Sequence, residues 1–248
     1  MTAVEPKCNT GVAALYIVAA AMGTMEQVVN RTDRLPGIGV LYGFPGYGKT
    51  MAASKLVNMY NAIHVEAKSF WTRKNILETI LHGMGIRAEV TISKMFDQVC
   101  KELSDTGRPL IMDEMDHIVE KGAVELIRDI HDKADAPILL IGEERLPGKL
   151  AKWERVHSRI MVWTPAPAAS VDDARELARY YASGITIEDD LLAAITAKAH
   201  GSVRRISVNL DRAKTEAITR GITSIGLKEW GKTELYTGEA PAPRKEPK

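Results

Sequence analysis

The stretch Gly43-Phe44-Pro45-Gly46-Tyr47-Gly48-Lys49-Thr50 fits the pattern G-x-x-x-x-G-K-[ST] at every position. Glycines let successive backbone N–H groups point into one concavity, and the start of a following helix adds a positive end. We therefore predict that a nucleotide's phosphates lie against Gly43, Pro45, Gly46, Tyr47 and Gly48. In this prediction Lys49 reaches the β and γ phosphates, and the Thr50 hydroxyl binds Mg²⁺.

Short apolar runs alternate with helical patterns on both sides of this loop. Such runs are typical of parallel strands that are covered on both faces by helices. The sequence therefore predicts an α/β fold, a P-loop core with a parallel sheet flanked by helices. The predicted strands are 38–42, 62–67, 109–112 and 137–141, and the predicted helices are 9–30, 51–60, 71–83, 93–103 and 124–133.

The pattern changes after Pro165-Ala166-Pro167, where we predict helices only, over 171–182, 188–200 and 202–220. From Tyr236 the composition turns to Gly, Pro, Ala and charged residues, which is typical of disorder. The expected organisation is a nucleotide-binding core with an N-terminal helix at 1–165, a small helical lid domain at 166–235 and a disordered tail at 236–248.

Composition excludes several classes of protein. The chain has 248 residues, 45% of them hydrophobic, and a net charge of +1, so any basic surface must be local. With two cysteines and no CxxC spacing, a zinc site and a disulfide framework are both disfavoured, and a reducing compartment fits. The apolar stretch at 12–22 is too short to span a bilayer, so we interpret it as a buried helix and expect a cytoplasmic protein.

Two carboxylates end the apolar run Leu110-Ile111-Met112. Phosphoryl-transfer chemistry needs a carboxylate that holds Mg²⁺ through water, a role that we assign to Asp113. It also needs a general base that activates the attacking water, which we assign to Glu114. Because the chain has no Asn-Lys-x-Asp guanine-reading motif, ATP is the expected nucleotide.

Over roughly residues 9–225 these motifs resemble those of the AAA+ ATPases. The stretch Gly201-Ser202-Val203-Arg204 is similar to that family's sensor-2 motif, which implies that Arg204 folds back onto the γ-phosphate. The stretch His157-Ser158-Arg159-Ile160 is similar to the segment that carries the arginine finger. The resemblance implies that Arg159 enters the site of a neighbouring subunit and stabilises transition-state charge, with Arg155 as the competing candidate.

One position departs from the family pattern. The strand at 138–141 is followed by Gly142-Glu143-Glu144, where many members carry Asn, Thr or Ser to orient the water. A carboxylate beside the γ-phosphate is electrostatically unfavourable, which places the sensor-1 role of Glu143 in question and predicts slow hydrolysis.

Within the AAA+ ATPases the chain resembles the DNA-transposition group of the phage Mu B protein, TnsC and TniB, especially the B proteins of Mu-like phages. The resemblance rests on 42–50, Val65-Glu66-Ala67 and Ser202-Val203-Arg204-Arg205-Ile206. It implies a regulator that binds double-stranded DNA without sequence preference, self-associates with ATP into a ring or helical filament, and recruits a transposase. The alternatives are a replication initiator or helicase loader, a stand-alone P-loop small-molecule kinase, and a scaffold that binds ATP without hydrolysing it.

Two local groups of basic residues are candidates for DNA contact. Lys68, Arg73 and Lys74 surround the aromatic pair at 70–71, and Lys94 stands at a predicted helix start beside two hydroxyl residues. The competing interpretation is an ordinary solvated helix start. Binding through such groups would be salt-dependent and blind to sequence.

Overall fold

The computed structural model describes residues 15–32 and 35–239. These residues form two compact units, one of Tyr16–Pro167 and one that takes in Leu15 and residues 168–239. None of the described helices combines the length and the apolar composition that crossing a bilayer requires.

A five-stranded sheet forms the centre of the first unit, and every pairing in it is parallel. The predicted α/β fold with a parallel sheet is confirmed. In the spatial order β2-β3-β4-β1-β5, the strands are β1 (Ile38–Tyr42), β2 (Ile63–Glu66), β3 (Leu110–Asp113), β4 (Ile138–Gly142) and β5 (Ile160–Pro165).

Helices connect the strands and cover the sheet, which is why β3 and β4 are buried over their whole length. Each predicted helix between residues 49 and 134 is present within a few residues of its expected bounds. The helices of this unit are α1 (Tyr16–Val29), α2 (Lys49–Tyr60), α3 (Arg73–Met84), α4 (Ile92–Thr106), α5 (Met115–Glu120), α6 (Val124–Ala134), α7 (Leu146–Leu150) and α8 (Glu154–His157).

Helix α1 lies close to strand β1 because residue 39 is a glycine. A Cβ atom at Gly39 would lie 2.9 Å from the Cγ2 methyl groups of both Thr24 and Val28. The sequence predicts that this helix begins at residue 9, but residues 9–14 lie outside the described part of the chain.

Strand β5 is absent from the sequence-based prediction. It pairs with β1 at one edge of the sheet and is only partly buried, so its sequence shows no continuous apolar run. Its register against β1 shifts between Ile38 and Gly39. Edge strands of this kind give a weaker hydrophobic signal than the central strands, because more of their side chains are in contact with solvent.

The second unit is mainly helical, as predicted. Its elements are α9 (Val171–Tyr181), β6 (Thr186–Ile187), α10 (Asp189–Lys198), α11 (Val203–Arg220), β7 (Ser224–Ile225) and α12 (Leu227–Trp230). The expectation that no strand follows residue 165 is wrong, because Thr186 pairs with Ser224 and Ile187 with Ile225 in a short parallel ladder. Two residues per strand are too few to produce a period-2 pattern in the sequence.

The side chain of Asn209 fixes the segment that follows α12. Asn209 is fully buried; its Nδ2 donates to the Tyr236 carbonyl at 2.9 Å, and its Oδ1 accepts from the Tyr236 N–H at 2.7 Å. The predicted onset of disorder at Tyr236 is therefore wrong for this residue, because a buried carboxamide supplies both of its backbone partners. Residues 240–248 of the predicted tail lie outside the described chain.

Candidate functional site

The loop after strand β1 has the backbone that a phosphate site requires. Gly46 and Gly48 adopt φ values of 83° and 88°, a region that side chains with a Cβ rarely occupy. Gly48 is also the residue that precedes helix α2, so the α2 N-terminus opens onto the loop. At the loop's start, a Cβ on Gly43 would lie 2.7 Å from the Cβ of Ala166, so this position also needs glycine.

Lys49 lies across this loop. Its Nζ donates to the carbonyl of Gly43 at 2.7 Å and to that of Phe44 at 3.0 Å. Burial lowers the pKa of the Lys49 ammonium, and the negative charges of Asp113 and Glu114 oppose that shift. The structure thus brings the predicted lysine and both predicted carboxylates into one electrostatic site.

Thr50 and Asp113 come together as a pair of oxygen ligands. The Thr50 hydroxyl donates to Asp113 Oδ2 at 2.8 Å, and Asp113 is 2% exposed. Burial opposes ionisation of Asp113, but hydrogen bonds from its neighbours, including the Glu114 N–H at 2.8 Å, leave its pKa below the usual value. An ionised carboxylate beside a hydroxyl is a donor set that suits Mg²⁺, so these two residues fit the predicted metal site.

Glu114 is held in an uncommon backbone conformation at the end of β3. Its φ and ψ are 56° and 40°, the left-handed region, and it immediately precedes helix α5. Burial raises the pKa of the Glu114 carboxyl, and the charges of Asp113 and Glu143 raise it further. A raised pKa brings a carboxylate closer to the range in which a general base is effective.

Three further residues border this site, and sequence reasoning assigned a role to none of them: Asp116, Lys149 and His64. The Asp116 carboxylate accepts from the Glu143 N–H at 2.6 Å and from Lys149 Nζ at 2.7 Å. His64 Nε2 lies 3.9 Å from Asp113 Oδ2, beyond hydrogen-bond length. Asp116 belongs to the acidic cluster 113–116, and that membership does not distinguish a buried carboxylate from a solvated one.

Comparison with known families agrees with this geometry. Residues 32–150 match the sequence profile of a family described as AAA domain. Over these residues, just under half of the chain, the sequence is similar to an AAA domain. A comparison with curated proteins gives no match.

Three solved structures illustrate how widely the fold of this chain is shared. Cdc6p from Pyrobaculum aerophilum has a TM-score of 0.57 and 15% identity, covering 86% of this chain and 64% of its own. The Aeropyrum pernix Orc1 protein in complex with DNA has a TM-score of 0.58 and 18% identity, covering 87% and 64%. RuvB from Thermotoga maritima, solved as a mutant, has a TM-score of 0.56 and 18% identity, covering 85% and 66%. This chain thus spans just under two thirds of each solved chain.

The predicted arginine finger Arg159 lies away from this nucleotide site. The Arg159 carbonyl accepts from the N–H of Ile38, the first residue of β1, whereas the phosphate loop follows the last, about 13 Å further along the strand. The Arg159 side chain is paired with Asp132, with Nε–Oδ1 at 2.8 Å and Nη2–Oδ2 at 3.3 Å. Arg155 is exposed on helix α8.

The predicted sensor-2 residue belongs to the other unit. Arg204 is exposed in the first turn of helix α11, whose N-cap Ser202 accepts from the Arg205 N–H. The helix start that the sequence predicted at this motif is therefore present, within the second unit.

The four candidate DNA contacts all have local partners. Lys68 pairs with Glu66, Lys74 Nζ lies 3.6 Å from Glu78 Oε1, Lys94 Nζ lies 3.8 Å from Glu89 Oε2, and Arg73 Nη2 donates to the Gly122 carbonyl at 3.4 Å. All of these pairs are solvent-exposed, so each is weak and can be exchanged for a phosphate. The nearby Phe70 is 72% exposed.

Proposed function

We propose that this AAA+ chain binds ATP with Mg²⁺ and hydrolyses ATP at interfaces between copies of itself, as a DNA-binding regulator of DNA transposition. The observation that carries the ATPase proposal is the Thr50–Asp113 hydrogen bond of 2.8 Å. It joins the phosphate loop to the carboxylate pair that ends β3, and this is the arrangement that phosphoryl transfer to water requires.

Each residue of the site has a distinct role in this proposal. Gly43, Pro45, Gly46, Tyr47 and Gly48 supply the loop whose N–H groups bind phosphate, and Lys49 leaves its carbonyl partners to reach the β and γ phosphates. Thr50 and Asp113 would hold Mg²⁺, which would neutralise charge on the phosphates when bound. Glu114 takes a proton from the attacking water.

The arginine that completes the site comes from a neighbouring copy in this proposal. Arg159 cannot serve the phosphate loop of its own chain, because it lies at the opposite end of strand β1 from that loop. For Arg159 to enter the site of a neighbouring copy, its ion pair with Asp132 must first break, whereas Arg155 is exposed on the surface. Arg204 reads the γ-phosphate as sensor 2.

The transposition role rests on the resemblance to the phage Mu B, TnsC and TniB group. In this role the ATP-bound assembly, a ring or helical filament, captures double-stranded DNA and recruits a transposase. It leaves the DNA when ATP is hydrolysed. In this proposal residues 1–165 form the nucleotide-binding core and residues 166–235 form the helical lid.

Mixing two inactive variants tests the interface ATPase. Glu114→Gln lacks the base but keeps its arginines, and Arg159→Ala lacks the finger but keeps its base. A mixture should recover ATP turnover at sites that combine an intact base with a neighbour's arginine. The same mixture made with Arg155→Ala identifies which arginine acts, since only the true finger variant is both inactive alone and complemented.

The control is Lys49→Ala, which should lose ATP binding and fail to complement Glu114→Gln. Full turnover by Arg159→Ala and Arg155→Ala alone would contradict catalysis in trans and favour the stand-alone kinase. Binding of ATP without turnover in the unmodified protein, with and without DNA, would favour the scaffold.

A replication initiator or helicase loader is the second candidate function. The similarity to Cdc6p and to Orc1, the latter solved in complex with DNA, favours it. A strand-transfer assay with a cognate transposase, performed with and without the protein and ATP, separates the two. Stimulation of strand transfer supports the transposition role, whereas stimulation of helicase loading alone supports the second candidate.

A further inference from the structure

Asp116 is a buried carboxylate beside the nucleotide site. Its side chain is 7% exposed and lies in the first turn of α5, two residues after Glu114. Its Oδ2 accepts from the Glu143 N–H at 2.6 Å, and its Oδ1 accepts from Lys149 Nζ at 2.7 Å. One carboxylate therefore joins the helix after β3 to the end of β4 and to helix α7.

The neighbouring backbone is shaped to admit this carboxylate. A Cβ at Gly142 would lie 2.5 Å from Asp116 Oδ2 and 2.6 Å from Leu146 Cδ2. On its other side, Gly142 pairs with Tyr42 at the end of β1, and its carbonyl accepts from the Gly43 N–H at 3.3 Å. The end of β4 is thus held between the phosphate loop and Asp116.

Glu143, whose N–H Asp116 accepts, interacts electrostatically with residues of the nucleotide site. The charge of Glu143 acts on both Lys49 and Glu114. Glu143 directly follows β4, and β4 lies between the strands that carry the phosphate loop and Asp113. The position of residue 143 therefore affects the charge balance around Lys49 and Glu114, and the Asp116 carboxylate, as an acceptor for its N–H, limits how far its backbone moves.

We propose that Asp116 is a positioning residue for ATP hydrolysis, which fixes residue 143 beside the phosphate loop and Glu114 by accepting the Glu143 N–H. Lys149 compensates the charge of Asp116, since a buried carboxylate without a cation is costly. This inference rests on the proposed ATPase function. It assigns Asp116 an effect mainly on turnover, because its hydrogen bonds go to Glu143 and Lys149 and to none of the predicted nucleotide-binding residues, on which it acts only through its charge at Lys49.

Substitutions at Asp116 and Lys149 test this role. Asp116→Ala should lower kcat by about ten- to a hundredfold, the range expected for a small misplacement at a reacting centre. The Kd of a fluorescent ATP analogue should stay within about twofold of its value for the unmodified protein, since the residues predicted to bind the nucleotide are unchanged.

A variant that restores only the acceptor should rescue turnover. Asp116→Asn keeps an oxygen for the Glu143 N–H, but its amide group would face the Lys149 ammonium, so it is combined with Lys149→Met. This double variant should keep kcat within about threefold of the unmodified protein. The comparison protein is Asp116→Leu with Lys149→Met, which fills a similar volume without an acceptor and should be as slow as Asp116→Ala.

Glu120→Gln is the matched control. Glu120 accepts from the same Lys149 Nζ at 2.7 Å, is exposed, and makes no contact with residue 143 among the described residues. Its substitution should leave kcat unchanged. A loss of turnover in Glu120→Gln equal to that in Asp116→Ala would assign the effect to the lysine and overturn the proposed role.

Hydrogen exchange at the Glu143 amide separates this inference from the ATPase proposal. Exchange should be faster in Asp116→Ala and in the Leu/Met pair than in the unmodified protein, the Asn/Met pair or Glu120→Gln. If exchange rises but the unmodified protein does not turn over ATP, the ATPase proposal fails, and the Asp116–Glu143 hydrogen bond is a structural contact without a role in turnover. Unchanged exchange, or normal kcat in folded Asp116→Ala and in the Leu/Met pair, overturns the positioning role.

Discussion

Glu114, the general base that we propose, has a left-handed backbone conformation that glutamate disfavours. A non-glycine residue in the left-handed region costs about 1 kcal/mol relative to glycine, and this cost persists only where surrounding structure enforces it. Here the buried strand β3 precedes the residue and helix α5 follows it at once. The general base that we propose is therefore positioned by its backbone at the expense of stability.

Replacing Glu114 by glycine should stabilise the fold and abolish turnover. The matched variant is Glu114→Ala, which removes the same carboxylate but keeps a Cβ in the left-handed region. We expect Glu114→Gly to exceed Glu114→Ala by about 1 kcal/mol in the free energy of unfolding, measured by urea titration. Equal stabilities would mean that the chain relaxes this turn once the carboxylate is absent.

His131 is a second buried residue whose bonds specify its protonation state. Its Nδ1 lies 2.9 Å from the Ala136 carbonyl, which can only accept, and its Nε2 accepts from the Gly37 N–H at 3.3 Å. The ring is therefore neutral. Burial lowers the pKa of His131 from the ordinary value of 6.5, and the nearby charge of Arg31 lowers it further.

This lowered pKa predicts a loss of stability in mild acid. Above pH 6.5 both folded and unfolded chains hold a neutral His131, so its contribution is complete. As the pH falls below that value the unfolded chain binds the proton first, and stability declines by up to about 1.4 kcal/mol per pH unit until the folded pKa is reached. Urea titrations at about pH 7.5 and about pH 5.5, on either side of the ordinary histidine pKa, measure this decline.

His131→Gln should show a smaller decline between these two pH values, because it has no group to protonate. His82→Gln, at an exposed position at the end of α3, is the control and should retain the full decline. An unchanged decline in His131→Gln would assign the acid sensitivity to other residues.

At the level of elements, two glycines near α1 have opposite requirements. Gly39 on β1 is in close contact with α1, whereas no atom lies within 4 Å of a Cβ built at Gly23, inside α1. At position 39 the packing of α1 on β1 leaves no room for a Cβ atom. At position 23 there is room for one, and glycine only makes the helix less stable than alanine would.

Gly39→Ala and Gly23→Ala should therefore shift stability in opposite directions. The first forces apart α1 and β1 and should cost about 1–3 kcal/mol, the usual penalty for overpacking. The second removes a flexible helix residue and should stabilise the fold by about 0.5–1 kcal/mol. Thermal and urea unfolding of both variants measure the shifts, and a neutral Gly39→Ala would refute the close packing of this pair.

The elements that could be predicted are those with a strong burial pattern. Central strands such as β1 and β4 are continuous apolar runs, so the sequence pattern located them, and the phosphate-loop motif predicted the end of β1 at which we propose that nucleotide binds. The edge strand β5 and the two-residue strands β6 and β7 carry no such pattern. Asp116 was missed for a different reason, since no sequence rule distinguishes a buried carboxylate from a solvated one in an acidic cluster.

At the level of the whole molecule, charge limits how DNA could be bound. The net charge is +1, and three of the four candidate contacts are paired with carboxylates of the same chain. A single copy therefore offers few free cations in these places. Repetition of weak contacts along one duplex by an assembled protein would multiply them.

DNA binding should consequently require ATP, show little sequence preference and fall steeply with salt. Lys94→Ala should weaken binding to all sequences alike and reduce the slope of log K against log salt by about 0.9 for each lost contact. Lys101→Ala is the control, because it removes an equal charge further along the same helix α4. Fluorescence anisotropy on unrelated duplexes, over a salt series, is the measurement.

Replacing Arg73 together with Lys74 should act in the same uniform way. Tight binding to one sequence without ATP would contradict assembly-dependent contact. No binding with ATP at low salt would contradict the DNA partner itself.

The Asn209–Tyr236 contact has a practical consequence for anyone who trims or tags this protein. A chain cut before Tyr236 leaves a fully buried carboxamide without two of its partners, a loss that costs about 1–3 kcal/mol. Such a shortened chain would be less stable for reasons unrelated to ATP or DNA. A protease site or affinity tag placed beyond residue 239 keeps this bond pair intact and leaves the second unit its full stability.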